Sequence, residues 1–217
     1  MIVTIENIVQ AFNDLESSVR SRVYRRKQQE LQEQLEAFFP TTTFSTLNAG
    51  VSGGSTAQAL GRLQRDVIRH QPDLVLIAFG LNDSTRGLEK IDAFADDLRK
   101  IVKAVRGQTE ADVVLLTPPY MATKPTERIH PDHEGVTEII LRAQRDGALA
   151  AYAENIRCVA SELAVPVADI HAEWKRLSES GTDTDLWLCN GLNHPDARGH
   201  QLAATVVFHT LLNGRPT

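Results

Sequence analysis

Three short segments of this 217-residue chain carry groups that suit acyl transfer: the glycine loop at 47–56, the turn at 80–83 and the segment around His194. A loop glycine such as Gly53 adopts a positive φ easily and can turn its backbone N–H into a cleft. The Asn82 amide is a second donor, and a histidine, with a usual pKa near about 6.5, is a base suited to neutral pH. Two donors for an oxyanion and one base make up most of an acyl-transfer site.

An alternation of predicted strands and helices places these segments at or after strand ends. Apolar runs, two of them continuous enough for burial on both faces, mark the strands, and apolar positions at helical spacing mark the helices. Strands are predicted at 1–5, 44–47, 74–79, 113–116 and 165–170, and helices at 18–38, 56–70, 91–105, 137–163 with a break near Gly147, 172–178 and 197–212. The pattern predicts an α/β fold with one parallel sheet between helices, in a single domain over residues 1–217. Ligands bind such sheets outside the carboxyl ends of the strands, where we expect the three segments to converge.

The order and spacing of these segments resemble the SGNH, or GDSL-type, hydrolase family over roughly residues 1–212. The matching residues are Asn48-Ala49-Gly50-Val51-Ser52-Gly53, Gly80-Leu81-Asn82-Asp83 and Asn193-His194-Pro195. The resemblance implies a three-layer, flavodoxin-like α/β/α sandwich in which Gly53 and Asn82 form the oxyanion hole and His194 is the general base. It also implies a lipase-like esterase acting on a carboxylic ester, with a small acyl group such as acetyl on a sugar or metabolite.

The family's nucleophile motif, Gly-Asp-Ser after the first strand, is degenerate in this chain. Aligned by the strand end and by the distance to Gly53, Ile5 replaces the glycine, Glu6 the aspartate and Asn7 the nucleophilic serine. An amide is not a nucleophile under a histidine base, so hydrolysis would need another route, such as attack by a water that His194 activates. Two alternatives stay open: a disarmed pseudoenzyme that binds a small ligand, and a repurposed biosynthetic enzyme with non-hydrolytic chemistry.

The family's acid is also absent from its usual position. Family members normally carry an aspartate three residues before the histidine, and Gly191 stands there in this chain. Asp83 is predicted to hold its own loop rather than to act as a catalytic acid. The groups that remain to orient the imidazole are a backbone carbonyl, Asn190, Asn193, Asp183 and Asp185.

Other reactive side chains are predicted to be structural. Cys189 is expected to be a small buried residue, although a lowered thiol pKa would make it a candidate nucleophile. The polar stretch at 128–134 lacks the helical spacing of metal-binding histidines, so it is not predicted to bind a metal. It is predicted to be a polar loop over the cleft. Serines predicted to cap helices or to lie in turns are Ser17, Ser18, Ser21, Ser52 and Ser55.

The composition of the chain indicates which classes of partner and which cellular location to expect. The net charge of −5 and the lack of a basic patch argue against a nucleic-acid partner. No apolar run is long enough to cross a membrane and no secretory leader pattern is seen, so the expected location is the cytoplasm. The two cysteines have no metal-ligand spacing, and neither a metal nor a cofactor is expected. The expected partner is a small-molecule ester or an acylated sugar or metabolite, and no oligomeric state is predicted.

Overall fold

The structure is a computed structural model that describes residues 2–6 and 30–213. The described strands form one parallel sheet in the order β2-β1-β3-β4-β5. The strands are β1 (Ile2–Glu6), β2 (Thr46–Asn48), β3 (Leu74–Ala78), β4 (Asp112–Leu116) and β5 (Val167–Ala168). This is the flavodoxin-like order, which confirms the predicted fold, and its direction reverses between β1 and β3.

Helices cover both faces of this sheet. In the described part of the chain they are α1 (residues 30–38), α2 (Thr56–Asp66), α3 (Leu81–Ser84), α4 (Ile91–Gln108), α5 (Glu134–Arg145), α6 (Ala148–Leu163), α7 (Ile170–Glu179) and α8 (Ala197–Asn213). Short 3₁₀ turns lie at Ile68–His70, Leu88–Lys90, Pro131–His133 and Thr184–Trp187. None of the described helices has the length and apolar character needed to cross a bilayer.

The central strand β3 is apolar throughout because its successive side chains enter different layers. Val75 and Ile77 of β3 pack in the core formed with α2, α4 and α6, whereas Leu76 packs in the core formed with α1, α7 and α8. Full burial of a side chain of this size contributes about 1.5–3 kcal/mol to folding. The continuous apolar run at 74–79 therefore reports a strand that is covered on both sides.

Several predicted elements differ in detail from the structure. The helix predicted at 137–163 begins earlier, at Glu134, while its predicted break is confirmed at Gly147, which adopts a φ of 80° and precedes α6. The strand predicted at 165–170 is reduced to two residues, because the Asp169 side chain accepts a hydrogen bond from Ala172 N and α7 begins at Ile170. The four-residue helix α3 was not predicted. Of the helix predicted at 18–38, the part before residue 30 lies outside the described residues.

Strand register brings the carboxyl ends of three strands together. Glu6, the last residue of β1, pairs with Ala78 of β3, and Thr4 pairs with Asn48 at the end of β2. The loops that follow β2 and β3 thus leave the sheet on either side of β1, at the position where open parallel sheets bind ligands. Asn7, the predicted nucleophile position, lies outside the described residues.

Candidate active site

The glycine loop and the segment after β3 meet through the Asn82 side chain. Asn82 Nδ2 donates a hydrogen bond to the Gly54 carbonyl oxygen at 3.2 Å. The neighbouring Gly53 has a φ of 65°, in the left-handed region that favours glycine. Among the described residues, no acceptor takes the Gly53 N–H. The two predicted oxyanion donors therefore lie side by side at the rim of the sheet.

Asp83 fixes these two loops relative to each other. Its buried carboxylate accepts hydrogen bonds from Thr56 N at 3.2 Å, from Thr56 Oγ1 at 3.1 Å and from Gly80 N at 3.2 Å. Thr56 begins α2 just after the glycine loop, and Gly80 immediately precedes α3, the helix that carries Asn82. Burial raises the pKa of the Asp83 carboxyl, against the lowering effect of these hydrogen bonds. Asp83 thus holds the end of the glycine loop and the turn before α3 together, in agreement with the structural role predicted for it.

The glycine loop is held along its length. Asn48 Oδ1 accepts from Gly50 N at 2.8 Å, and Gly54 N donates to the Val51 oxygen at 3.1 Å. The Arg62 guanidinium, from α2, donates to the Ala49 oxygen. These hydrogen bonds restrain the backbone before and after Gly53, and they therefore restrain the direction of the Gly53 N–H. Two of the serines singled out from the sequence have structural surroundings here: Ser55 is buried at the start of α2, and Ser52 has a buried hydroxyl.

His194 lies on a hairpin-like connection between the 3₁₀ turn Thr184–Trp187 and α8. Leu188 and Pro195 form an antiparallel bridge, and Cys189 N donates to the His194 oxygen at 2.8 Å. The His194 side chain is buried, with 5% of the residue exposed. Leu192 of this hairpin packs in the same apolar cluster as Leu81, the residue before Asn82. The predicted base His194 and the predicted donor Asn82 are therefore carried by segments that share one small core.

Asn190 organises the backbone of this hairpin. Its Oδ1 accepts three hydrogen bonds, from Leu192 N at 3.1 Å, Asn193 N at 3.0 Å and His194 N at 3.0 Å. Its Nδ2 donates to Asn193 Oδ1 at 3.0 Å. Of the candidate orienting groups, Asn190 therefore acts on the main chain of His194.

The upstream aspartates bind a different segment. The Asp185 carboxylate accepts from Thr123 N and, at 2.8 Å, from Thr123 Oγ1. Asp183 forms an ion pair with Lys124 at 3.1 Å and accepts from Asp185 N at the start of the 3₁₀ turn. Both carboxylates thus hold residues 123–124 against the 3₁₀ turn Thr184–Trp187, which precedes the hairpin.

Gly191, at the position of the family's acid, has a backbone conformation and neighbours that disfavour a side chain. Its φ is 70°, and a Cβ at this position would lie 3.1 Å from Arg128 Cβ and 3.2 Å from Ile129 Cγ1. It would also run into Thr126 Oγ1. Arg128 and Ile129 belong to the polar stretch predicted to be a loop over the cleft, and this stretch packs against the His194 hairpin and ends where α5 begins. Within the described residues, no three metal-ligating side chains come together.

A second buried histidine, missed in the sequence, follows β5. His171 Nδ1 lies 3.3 Å from the Pro118 oxygen, and its ring packs against Tyr120. Burial lowers the pKa of His171 to about 4, so this imidazole is neutral at physiological pH. Its covered position makes it a structural residue rather than a second base. The only sequence signal was its place directly after a predicted strand.

Cys189 was expected to be buried, but the residue is exposed. Its sulfur is nevertheless partly covered where it meets the Pro195 oxygen, and this desolvation, assisted by the Asp196 carboxylate, raises the pKa of the thiol to about 11. Its Sγ lies 3.6 Å from the Pro195 oxygen, as a hydrogen-bond donor. A thiol with this pKa stays protonated at neutral pH and does not serve as the nucleophile.

Two curated relatives match part of the chain. An arylesterase from Vibrio mimicus is 33% identical over 72 residues, which is 33% of this chain and 35% of that protein. An acetylxylan esterase from Geobacillus stearothermophilus is 28% identical over 96 residues, covering 40% and 43% of the two chains. The chain thus spans less than half the length of the curated relatives that it matches.

Solved structures match over nearly the whole chain. The lipase/acylhydrolase from Enterococcus faecalis has a TM-score of 0.68 at 18% identity, over 100% of this chain and 97% of its own. The acetyl xylan esterase AlAXEase has a TM-score of 0.70 at 18% identity, over 96% and 98%. At these identities the likeness shows a shared fold. The profile of the GDSL-like Lipase/Acylhydrolase family matches residues 15–202, most of the chain, and the protein therefore belongs to that family.

Proposed function

We propose that this protein hydrolyses carboxylic esters with a small acyl group such as acetyl. The observation that carries the proposal is the hydrogen bond from Asn82 to the glycine turn, because it sets two N–H donors together at the ligand-binding edge of the sheet. Membership of an acylhydrolase family supports the same chemistry, as do curated relatives named arylesterase and acetylxylan esterase. The proposed substrate is a small ester or an acylated sugar or metabolite.

The proposed roles follow the charge that develops during ester cleavage. The carbonyl oxygen becomes an oxyanion in the tetrahedral intermediate, and the Gly53 N–H and the Asn82 amide donate hydrogen bonds to it. Removal of one such donor typically lowers the rate by about 10²–10³. The braced glycine loop supports this role, because a donor that is already oriented needs no reorganisation when the charge appears.

With asparagine at position 7, we propose a water as the attacking group. His194 takes one proton of that water while its oxygen attacks the carbonyl carbon. The tetrahedral intermediate then collapses, the bond to the leaving alkoxide breaks, and the alkoxide takes the proton from the His194 imidazolium. This path has no acyl-enzyme, so it lacks the division into two easier steps that covalent catalysis provides. We expect a slow enzyme.

A second function, ligand binding without turnover, is favoured by Gly191. A side chain at this position, where the family carries its acid, would have a strained backbone and close contacts, and Asn7 stands where the family carries its nucleophile. The chain thus departs from the family at two of its catalytic positions while keeping the glycine and asparagine donors. A protein of this kind would bind an acylated ligand at the rim without cleaving it.

Hydrolysis of p-nitrophenyl acetate separates the two functions. The wild type is compared with His194→Ala, with Asn7→Ser and with Cys158→Ser as a control for surface substitution. Turnover by the wild type that disappears in His194→Ala supports water attack. A silent wild type with an active Asn7→Ser variant supports binding without turnover. Silence of every variant, with no binding of acetylated sugars by calorimetry, would reject both functions.

A further inference from the structure

The His194 hairpin is organised around one side-chain oxygen. Asn190, which is 9% exposed, receives three consecutive backbone N–H groups on its Oδ1, from Leu192, Asn193 and His194. A carbonyl oxygen has two lone pairs, so this oxygen is used to its full capacity. The arrangement fixes the backbone of the three residues that lead up to and include the proposed base.

Two further bonds close the same hairpin. Ala122 N donates to the Leu192 oxygen at 2.6 Å, and Cys189 N donates to the His194 oxygen at 2.8 Å. These bonds use the carbonyl groups of the segment, whereas Asn190 uses its N–H groups. The Asn190 contacts are therefore not duplicated by these two bonds, and their loss would leave three largely buried donors to find new acceptors.

The family's usual way to hold the histidine is blocked in this chain. Arg128 and Ile129 approach Gly191 so closely that an aspartate there would displace them, and the positive φ of Gly191 disfavours any side chain. An acid at this position is thus disfavoured by its backbone conformation and by packing from a distant part of the chain, which leaves the histidine to be held from another position.

We propose that Asn190 is a positioning residue that sets the direction of the His194 side chain through the backbone. For its catalytic meaning the proposal rests on the esterase function proposed above. Asn190 carries no charge, so it fixes geometry without adding a negative charge beside the imidazole. An oxygen at this position is the essential feature, and the Asn190 amide nitrogen serves only to bind Asn193 Oδ1.

Three variants test this assignment. Asn190→Ala removes the oxygen. Asn190→Asp keeps an oxygen acceptor for the backbone but replaces the N–H donors with a second, charged oxygen. The matched control Asn193→Ala removes only the partner of those donors. Amide hydrogen exchange of residues 192–194, followed by NMR, reads the hairpin itself. The kcat and KM for p-nitrophenyl acetate read the proposed base, in the wild type or, if its rate is too low, in an Asn7→Ser background.

We expect Asn190→Ala to speed amide exchange at His194 by about tenfold or more, since local opening becomes easier. We expect kcat to fall by about 10–100-fold with KM within about threefold, because a misplaced base affects the transition state more than binding. Asn190→Asp should stay within about threefold of its parent in amide exchange, because the oxygen that accepts the three N–H groups is kept. Asn193→Ala should stay within about threefold of its parent in both readouts.

Three results would overturn the proposal. The first is unchanged exchange at His194 in Asn190→Ala, and the second is lost protection with an unchanged kcat. The third is a Gly191→Asp variant that folds and is faster than its parent, since the acid position would then be open. If neither the wild type nor Asn7→Ser turns over, the esterase function fails, and the exchange data alone decide whether Asn190 holds the hairpin.

Discussion

Lowering the pH should destabilise this protein through His171. Because burial lowers the pKa of His171 to about 4 in the folded state, against about 6.5 in an unfolded chain, the unfolded state binds more protons between these two values. Stability from this residue is therefore complete above about pH 6.5 and is lost as the pH falls toward about 4. The nearby Arg157 and Lys175 act in the same direction, and the Asp169 carboxylate and the Pro118 oxygen oppose it.

The size of the effect follows from the shift. A difference of about 2.5 pH units at about 1.4 kcal/mol per unit gives a loss of roughly 3 kcal/mol at pH 4, of which about 2 kcal/mol is already lost at pH 5. The raised pKa of Asp83 contributes in the opposite sense, because folding then favours its protonated form. A comparison with a variant is needed to isolate the histidine.

The variant is His171→Asn, whose amide places an N–H near the position of Nδ1 and does not titrate in this range. Free energies of unfolding are measured by urea denaturation at several pH values from 7.5 to 5. We expect the wild type to lose about 2 kcal/mol more than His171→Asn over this interval. Equal losses in the two proteins would show that His171 is not buried as a neutral imidazole and that its pKa is not lowered in the folded state.

Three further predictions concern other residues. Asp83→Ala should lower the free energy of unfolding by about 2–4 kcal/mol, because two buried backbone N–H groups lose their acceptor; a loss below about 1 kcal/mol in urea denaturation would contradict this. Cys189 should react with iodoacetamide at pH 7 more slowly than a free cysteine, and rapid labelling by mass spectrometry would refute its raised pKa. Arg157→Met should lower the melting temperature measurably, because the paired bonds to Asp169 at 2.8 and 2.9 Å are lost; an unchanged value would show a pair of no consequence.

The sheet was predictable because its signals are local. The apolar run that became β3 and the glycine that separates α5 from α6 act within a few residues, so periodicity and turn chemistry reveal them. The helix α3 escaped because four residues are too few to show a helical period. The end of β5 depends on a capping contact of Asp169, which no apolar pattern records.

The short motifs of the candidate site could be recognised in the sequence, whereas the contacts between distant residues around it could not. Gly53 and Asn82 stand in recognisable short motifs, and in the structure Asn82 donates a hydrogen bond to the carbonyl oxygen of Gly54, the neighbour of Gly53. The burial of His171 and the closure of Gly191 depend on residues far away in the sequence, such as Tyr120 and Arg128. Contacts of this kind arise from the way loops pack, and a single sequence carries no local trace of them.

We propose that Asn82 and His194 act together at one ester-cleaving site. A double-mutant cycle with Asn82→Ala and His194→Ala, on kcat/KM for p-nitrophenyl acetate, tests it most directly. The cycle uses the wild type or, if its rate is too low, Asn7→Ser. Residues of one catalytic unit give strongly non-additive losses. We expect the double variant to be at most about threefold slower than the worse single variant. Losses that multiply, or single variants as fast as their parent, would contradict it.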